Sequence, residues 1–136
     1  MIVVDASVAV KWYVDEPGHD AALAFLRSET ERIAPDFALL EVINVLRRKQ
    51  RIGTFSQQQL LDAIEHLGKS FDRLLSAKAM LPLAVNMSRS LDHSVYDCAY
   101  LACALIEDTQ LVTADAVFAL KVDRSNYSDR IIRLSS

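Results

Sequence analysis

The chain has 136 residues, of which 51% are hydrophobic, and a formal net charge of −3 at pH 7. This length and composition suit one globular domain with a real hydrophobic core, and they exclude a disordered or low-complexity segment. No apolar run approaches the roughly 20 residues of a membrane-spanning helix, and no basic leader precedes the first apolar run. We therefore expect a single domain over residues 1–136, with no signal peptide and no membrane association.

Charge and cysteine content limit the partners and the compartment. The mildly acidic charge argues weakly against an extended nucleic-acid footprint but leaves room for a small one. The two cysteines, Cys98 and Cys103, lie in one predicted helix at a spacing that points them in different directions. A disulfide between them is not expected, and free thiols fit a reducing cytoplasm.

Strands and helices are predicted to alternate along most of the chain. The predicted strands are Ile2–Val4, Arg32–Ala34, Phe71–Leu75, Gln110–Thr113 and Arg130–Leu134. The predicted helices cover residues 7–14, 21–28, 36–51, 56–68, 77–91 and 94–107, and a short last helix begins at Asp115 or Ala116. Such alternation is typical of a mainly parallel sheet with helices on both faces, so we expect an α/β fold.

Local signals indicate where several helices begin and end. Asp36 and Ser56 can each cap the helix that follows, and Gly53 stands where the long helix between them should end. Ser94 and Asp97 have the spacing of a capping box, which predicts the start of another helix.

Four acids lie where a parallel α/β fold could bring them together. Asp5 directly follows the first predicted strand and Asp115 closely follows the fourth, so both should lie at the carboxyl edge of the sheet. Asp97 opens a helical run, and Glu41 lies inside an apolar helical run. Clustered carboxylates repel one another, and a hard divalent cation is the usual remedy. The pattern therefore favours metal-dependent phosphodiester chemistry.

Each of these acids also has a purely structural interpretation. Asp5 and Asp115 could cap helices, and Asp97 could complete its capping box. Glu41 is harder to explain in this way, because no basic residue lies three or four positions from it in the chain. Burying a lone charge is costly, so Glu41 needs a partner from elsewhere, either a metal ion or a distant arginine.

Four short sequence segments are weak indicators of a protein family when taken singly, but they are specific when they occur together and in order. They are Val3–Val8 with Lys11-Trp12, Glu41–Arg47, Tyr96–Ala102 and Leu111–Asp115. Together they resemble the motifs of PIN-domain ribonucleases, especially the VapC-type toxins of bacterial toxin–antitoxin pairs. The resemblance covers essentially the whole chain and implies a three-layer α/β/α sandwich. It also implies cleavage of single-stranded RNA with Mg²⁺ or Mn²⁺, a homodimer, and inhibition by a small antitoxin that enters the active-site groove.

The resemblance assigns roles to the four acids. Asp5, Glu41, Asp97 and Asp115 are implied to form the metal centre. We expect Asp5 and Asp97 to hold the principal ion and Asp115 to join directly or through water. Glu41 would bind a second ion or orient the attacking water. Many members carry an acid or polar residue where this chain has Val117, so a second metal position lacks support.

Several neighbours receive supporting roles. Ser7 and Thr113 are expected to position water or an acid, and His93 is expected to serve in a loop or as a cap rather than as a general base. A basic run near the end of the long helix suits the helix dipole but could also contact RNA or an acidic antitoxin residue. Its members are Arg47, Arg48, Lys49 and Arg51. Arg47 is the most interesting member because it lies closest to Glu41 in the chain.

Other classes of protein fit the sequence less well. A phosphate-receiving signalling domain would show paired acids after the first strand, and a phosphohydrolase with a nucleophilic aspartate would show D-x-D. Asp5-Ala6-Ser7 matches neither pattern. A non-catalytic module on the same fold would be expected to lose acids, whereas all four remain. RNA processing outside a toxin role and non-catalytic RNA or protein binding remain as alternatives.

Overall fold

The computed structural model describes residues 1–135, and within them five short strands form one sheet. The strands are β1 (Ile2–Val4), β2 (Arg32–Pro35), β3 (Arg73–Leu75), β4 (Leu111–Thr113) and β5 (Ile131–Arg133). Their order in the sheet is β3-β2-β1-β4-β5, and every neighbouring pair is parallel. The prediction of a mainly parallel sheet is confirmed.

Seven α-helices connect these strands within the described residues. They are α1 (Ala6–Ala9), α2 (His19–Arg27), α3 (Ala38–Arg51), α4 (Gln57–Ser70), α5 (Ala77–Leu91), α6 (Val95–Ile106) and α7 (Ala116–Asp123). Crossovers between parallel strands are right-handed in nearly all folds, so this strand order places α1 to α4 on one face of the sheet and α5 to α7 on the other, which gives the expected α/β/α sandwich. Across residues 1–135, no helix has both the length and the apolar character needed to cross a bilayer.

Helix α6 forms the centre of the hydrophobic core. It packs against β1, β2 and β4, and residues 98–104 are all buried. A helix that is apolar around its whole circumference needs cover on all sides, and α5 supplies it from outside with buried side chains such as Met80 and Met87. The first turn of α6 is therefore held in a fixed position above the carboxyl ends of the central strands.

The direction of the connections reverses between β1 and β4, the two neighbouring strands at the middle of the sheet. The chain leaves β1 toward one face and leaves β4 toward the other, so a crevice opens beyond their carboxyl ends. Ligands of open α/β folds bind in such a crevice. The topology thus places the segments that carry Asp5 and Asp115 next to each other.

The predicted cap at Asp36 is wrong, whereas the signals at Ser56 and Gly53 are confirmed. The backbone N–H of Asp36 donates to the Leu75 carbonyl at 2.8 Å, so Asp36 continues the sheet and α3 begins after Phe37 without a side-chain cap. Ser56 forms a capping box with Gln59. Gly53, just past α3, has a φ of +86°, a conformation that favours glycine.

Substitution of Leu101 by alanine in α6 should lower the free energy of unfolding by about 2–5 kcal/mol, because it leaves a cavity at a fully buried position. The matched control is Leu120→Ala in α7. Leu120 is 49% exposed, and its truncation should change stability by less than about 0.5 kcal/mol. Urea unfolding followed by circular dichroism measures both, and equal losses would contradict the central place of α6 in the core.

Candidate metal centre

The four acids line one open cavity of about 600 Å³ at the carboxyl ends of β1 and β4. Each comes from the start of a different helix. Asp5 is the N-cap of α1, Glu41 and Asp97 lie in the first turns of α3 and α6, and Asp115 is the N-cap of α7. The positive ends of helix dipoles favour negative charge at these positions. The structure thus brings together all four acids that were predicted from the sequence.

Asp5 is the most buried of the four acids and is held by two hydroxyl groups. Ser7 Oγ donates to Asp5 Oδ2 at 2.5 Å, and Thr113 Oγ1 donates to the same oxygen at 2.9 Å. Both hydroxyls also accept backbone hydrogen bonds, Ser7 from Ala114 N–H at 2.9 Å and Thr113 from Asp115 N–H at 3.1 Å. This network joins the segment after β1 to the segment after β4.

Burial is the main cause that raises the pKa of Asp5 from 3.8 to about 6. The hydrogen bonds from Ser7 and Thr113 lower this pKa, and the negative charges of Asp97 and Glu41 raise it. Asp5 therefore loses its proton at a higher pH than an exposed aspartate does. A positive charge in the cavity would remove much of the cost of ionising it.

Glu41 finds its partner in α6. The hydroxyl of Tyr100 donates to Glu41 Oε1 at 2.8 Å. The sequence predicted a metal ion or a distant arginine as the partner of Glu41, and among the described residues the partner is this tyrosine. Burial raises the pKa of Glu41, the hydrogen bond from Tyr100 lowers it, and the charge of Asp97 raises it. Burial and the nearby charges of Asp5 and Glu41 in turn raise the pKa of the Tyr100 hydroxyl, which keeps Tyr100 a donor.

Asp97 and Asp115 form a tight group with His93. One potential ligand atom from each of the three residues lies within 4.8 Å of the other two. His93 Nε2 is 2.6 Å from Asp97 Oδ2, and the His93 ring packs on Phe118 with centroids 4.6 Å apart. Two ligands of one Mg²⁺ lie at most about 4.2 Å apart, so small side-chain movements would bring an oxygen of Asp97 and an oxygen of Asp115 to a single ion. His93 would join them only if its Nε2 released Asp97.

His93 was not recognised from the sequence as part of the site. The capping box predicted at Ser94 and Asp97 is half formed, since Ser94 Oγ accepts from the Asp97 N–H at 3.1 Å. The Asp97 carboxylate contacts His93 and is not the second half of that box. The only sequence signal was the four-residue spacing between His93 and Asp97, which many structural pairs share.

Each acid is held through one carboxylate oxygen. The donors engage Asp5 Oδ2, Glu41 Oε1, Asp97 Oδ2 and Asp115 Oδ1, the last from the Phe118 N–H at 3.0 Å. Within residues 1–135 the second oxygen of each acid accepts no hydrogen bond from a side chain. The arrangement fixes the carboxylates in place and leaves one oxygen of each for a cation.

Asp97 connects two parts of the centre. It belongs to the group with His93 and Asp115, and its charge also acts on both Asp5 and Glu41. Asp5 lies outside the tight three-residue group. The expected pairing of Asp5 with Asp97 around a principal ion therefore stays a prediction. Val117 is 62% exposed and apolar, so it adds no oxygen ligand.

Basic side chains from two segments border the same cavity. Arg48 and Lys49 of α3 line it together with Lys11, and Glu16 bridges the two lysines at 3.2 Å from Lys11 and 3.6 Å from Lys49. Arg47, the predicted supporting residue, is exposed and lines a neighbouring groove, where its Nη1 donates to Gln50 Oε1 at 2.8 Å. The rim can thus attract an anionic ligand to an acidic interior.

Replacing Asp5 by asparagine should stabilise the metal-free protein at neutral pH. The pKa of Asp5 is higher in the folded protein than in the unfolded chain. Its contribution to the free energy of unfolding is therefore fully present below pH 3.8 and is lost as the pH rises through about 6. Asparagine can keep both hydroxyl partners without ionising, so the gain should grow to about 3 kcal/mol by pH 8. Urea unfolding in the presence of a chelator, at pH 4 and pH 8, measures this. A gain of the same size at both pH values would contradict the assignment.

Comparison with known proteins agrees with this architecture. The model of the PIN domain family matches residues 2–123. Among solved structures, the fold is similar to the crystal structure of PAE2754 from Pyrobaculum aerophilum, with a TM-score of 0.71 and 18% identity over 98% of this chain and 90% of that chain. This likeness concerns the fold alone. No curated protein matches the chain. PIN domains are generally metal-dependent nucleases. Because the family match spans most of the described residues, the chain belongs to the PIN domain family.

Proposed function

We propose that the protein is an endoribonuclease that uses Mg²⁺ or Mn²⁺ to cleave single-stranded regions of RNA, as the toxin of a type II toxin–antitoxin pair. The convergence of Asp5, Glu41, Asp97 and Asp115 on one open cavity carries the proposal. Family membership supports nuclease activity. The choice of RNA and the toxin role rest on the resemblance of four motifs to VapC-type toxins.

The donor atoms suit a hard divalent cation. Carboxylate oxygens are the ligands that Mg²⁺ prefers, and burial, the main cause of the raised pKa values of Asp5 and Glu41, makes their ionised forms costly without a cation. We assign the principal ligand role to Asp97, because it lies in the tight group with His93 and Asp115 and its negative charge also acts on Asp5 and Glu41. A bound cation would offset charge on the scissile phosphate and lower the pKa of a bound water.

The residues around the acids have positioning roles in this proposal. Ser7 and Thr113 hold Asp5, Tyr100 holds Glu41, and His93 holds Asp97. Each donor restricts the rotation of its carboxylate, so the free oxygens are oriented before the substrate arrives. Preorganised ligands of this kind avoid the cost of rearrangement during the reaction.

The basic rim supports a nucleic-acid substrate. Arg48 borders the acidic cavity and can pair with a phosphate beside the scissile bond, and Lys11 and Lys49 share the single negative charge of Glu16, so the rim keeps a net positive charge. An open cavity of this size reaches a flexible single strand more easily than a duplex, whose groove edges and backbone are rigid. The net negative charge of the chain fits a short footprint of a few phosphates.

We also propose two protein partners, a second copy of the chain and a small antitoxin. Apolar side chains remain exposed on the outer helices, and a partner would cover them. They include Leu61 and Ile64 on α4 and Leu81 and Val85 on α5. The two buried free thiols support the proposed location in a reducing cytoplasm.

Asp97→Asn should reduce RNA cleavage by more than about 100-fold, since even the loss of a group that only orients a ligand costs 10- to 100-fold. Cleavage by the purified protein should require Mg²⁺ or Mn²⁺ and should stop with a chelator. Sequencing of the product ends would identify the RNA and the cleavage position. The matched control is Asp123→Asn on the exposed side of α7, which should cleave at the normal rate. Normal cleavage by a folded Asp97→Asn variant would show that the site is wrong.

A small DNA-binding protein encoded next to this gene should inhibit the cleavage and co-elute with the chain. Light scattering of the chain alone should give about twice its mass of 15.2 kDa. Cleavage that continues in the presence of that protein would contradict the toxin–antitoxin role, and a monomeric mass would contradict the homodimer. Neither result would affect the nuclease assignment.

A further inference from the structure

A second groove of about 640 Å³ lies beside the metal centre, on the other side of α3. We call it the aromatic groove. Its lining residues are Phe37, Leu40, Glu41, Ile43, Asn44 and Arg47 from the start and middle of α3, with Tyr96 from α6. Glu41 and Asn44 line both the aromatic groove and the acidic cavity. The aromatic groove and the acidic cavity therefore adjoin along α3, and a flexible strand could run from one to the other.

The aromatic groove displays an exposed tyrosine ring on a rigid support. Tyr96 is 63% exposed, although it lies in the first turn of a helix whose residues 98–104 are all buried. The Phe37 ring packs edge to face against Tyr96 and against Tyr100, in both cases with centroids 5.5 Å apart. Tyr100 in turn donates to Glu41 of the metal centre. The exposed ring is thus fixed relative to the acids.

Polar groups converge on the same groove. Asn44 is exposed and offers both an amide donor and a carbonyl acceptor, the combination that can pair with the edge of a nucleobase. Arg47 uses Nη1 for Gln50, and its remaining N–H groups are available to a phosphate or to a base. An apolar peptide segment in this groove would cover Asn44 and Arg47 without satisfying them, which is costly.

We propose that the aromatic groove binds the nucleobase next to the scissile phosphate of single-stranded RNA. The base stacks on Tyr96, Asn44 hydrogen-bonds to its edge, and Arg47 contacts the adjoining phosphate. Stacking on an aromatic side chain and readout of the exposed edge is the common way to recognise an unpaired base. The inference deepens the proposed function and rests on it, since it supplies the base selection that the acidic cavity lacks.

The test uses short single-stranded RNA with one 2-aminopurine base, and a matched RNA in which that base is absent. All binding is measured in an Asp97→Asn background, so that the RNA stays intact. Tyr96→Ala should weaken binding of the base-containing RNA by about 5- to 150-fold, the range expected for one lost stack. Tyr96→Phe keeps the ring and should bind within about twofold of the parent. Neither variant should change the affinity for the abasic RNA.

Two further measurements separate stacking from a loss of structure. The 2-aminopurine fluorescence should be quenched on binding to the parent and to Tyr96→Phe, but not to Tyr96→Ala. Asn44→Ala, tested with Asp97 intact, should broaden the choice of base at the cleavage site while the protein still cleaves. The matched control is Leu120→Ala, an exposed position on α7 outside the groove, which should change neither result.

The outcomes distinguish this inference from the proposed function. If the protein with Asp97 intact cleaves RNA but Tyr96→Ala binds the base-containing and abasic RNAs as the parent does, the groove does not hold a base and the nuclease remains. Base-dependent binding through Tyr96 without any cleavage would support the groove and overturn the nuclease. If Tyr96→Ala loses only the binding of a protein partner, the groove is a peptide site and the inference is wrong. Absence of any RNA binding would overturn both.

Discussion

The structure has to hold four carboxylates in one cavity against their mutual repulsion, and much of the local architecture serves this constraint. Each acid gives one oxygen to a donor supplied by the protein, and the donors come from both sides of the sheet. The helix starts beneath the acids add favourable dipoles. Burial, and to a smaller extent the remaining repulsion from Asp97 and Glu41, raise the pKa of Asp5. The folded chain thus carries an electrostatic cost that a divalent cation would offset.

Helix α6 couples this site to the stability of the fold. Its buried length fills the space over β1, β2 and β4, and its first turn carries Asp97. One turn later Tyr100 reaches Glu41, and one residue earlier Tyr96 faces the aromatic groove. A single packed helix therefore sets the positions of two acids and of the exposed ring. Substitutions that shift α6 in the core are expected to disturb both cavities together.

The sequence was sufficient for the parts of the structure that depend on local pattern and on topology. Apolar runs indicated the strands, and the place of Asp5 and Asp115 after two of them was enough to bring these acids together. Partners that depend on tertiary packing were missed. His93 contacts Asp97 while its ring packs against Phe118 from another helix, and Tyr100 rather than an arginine meets Glu41. Asp36 does not cap α3, because the β2–β3 pairing continues through its N–H.

The connections at the carboxyl edge of the sheet have a constrained length, whereas the connections at the opposite edge do not. At the carboxyl edge, Asp5 comes directly after β1 and Asp115 two residues after β4, and one residue added before either acid would turn its side chain to the other side of the extended backbone. The turns that enter the strands lie at the opposite edge and hold none of the acids. Insertions, tags or fused segments in this chain should therefore be tolerated at that edge better than in the connections beside the crevice.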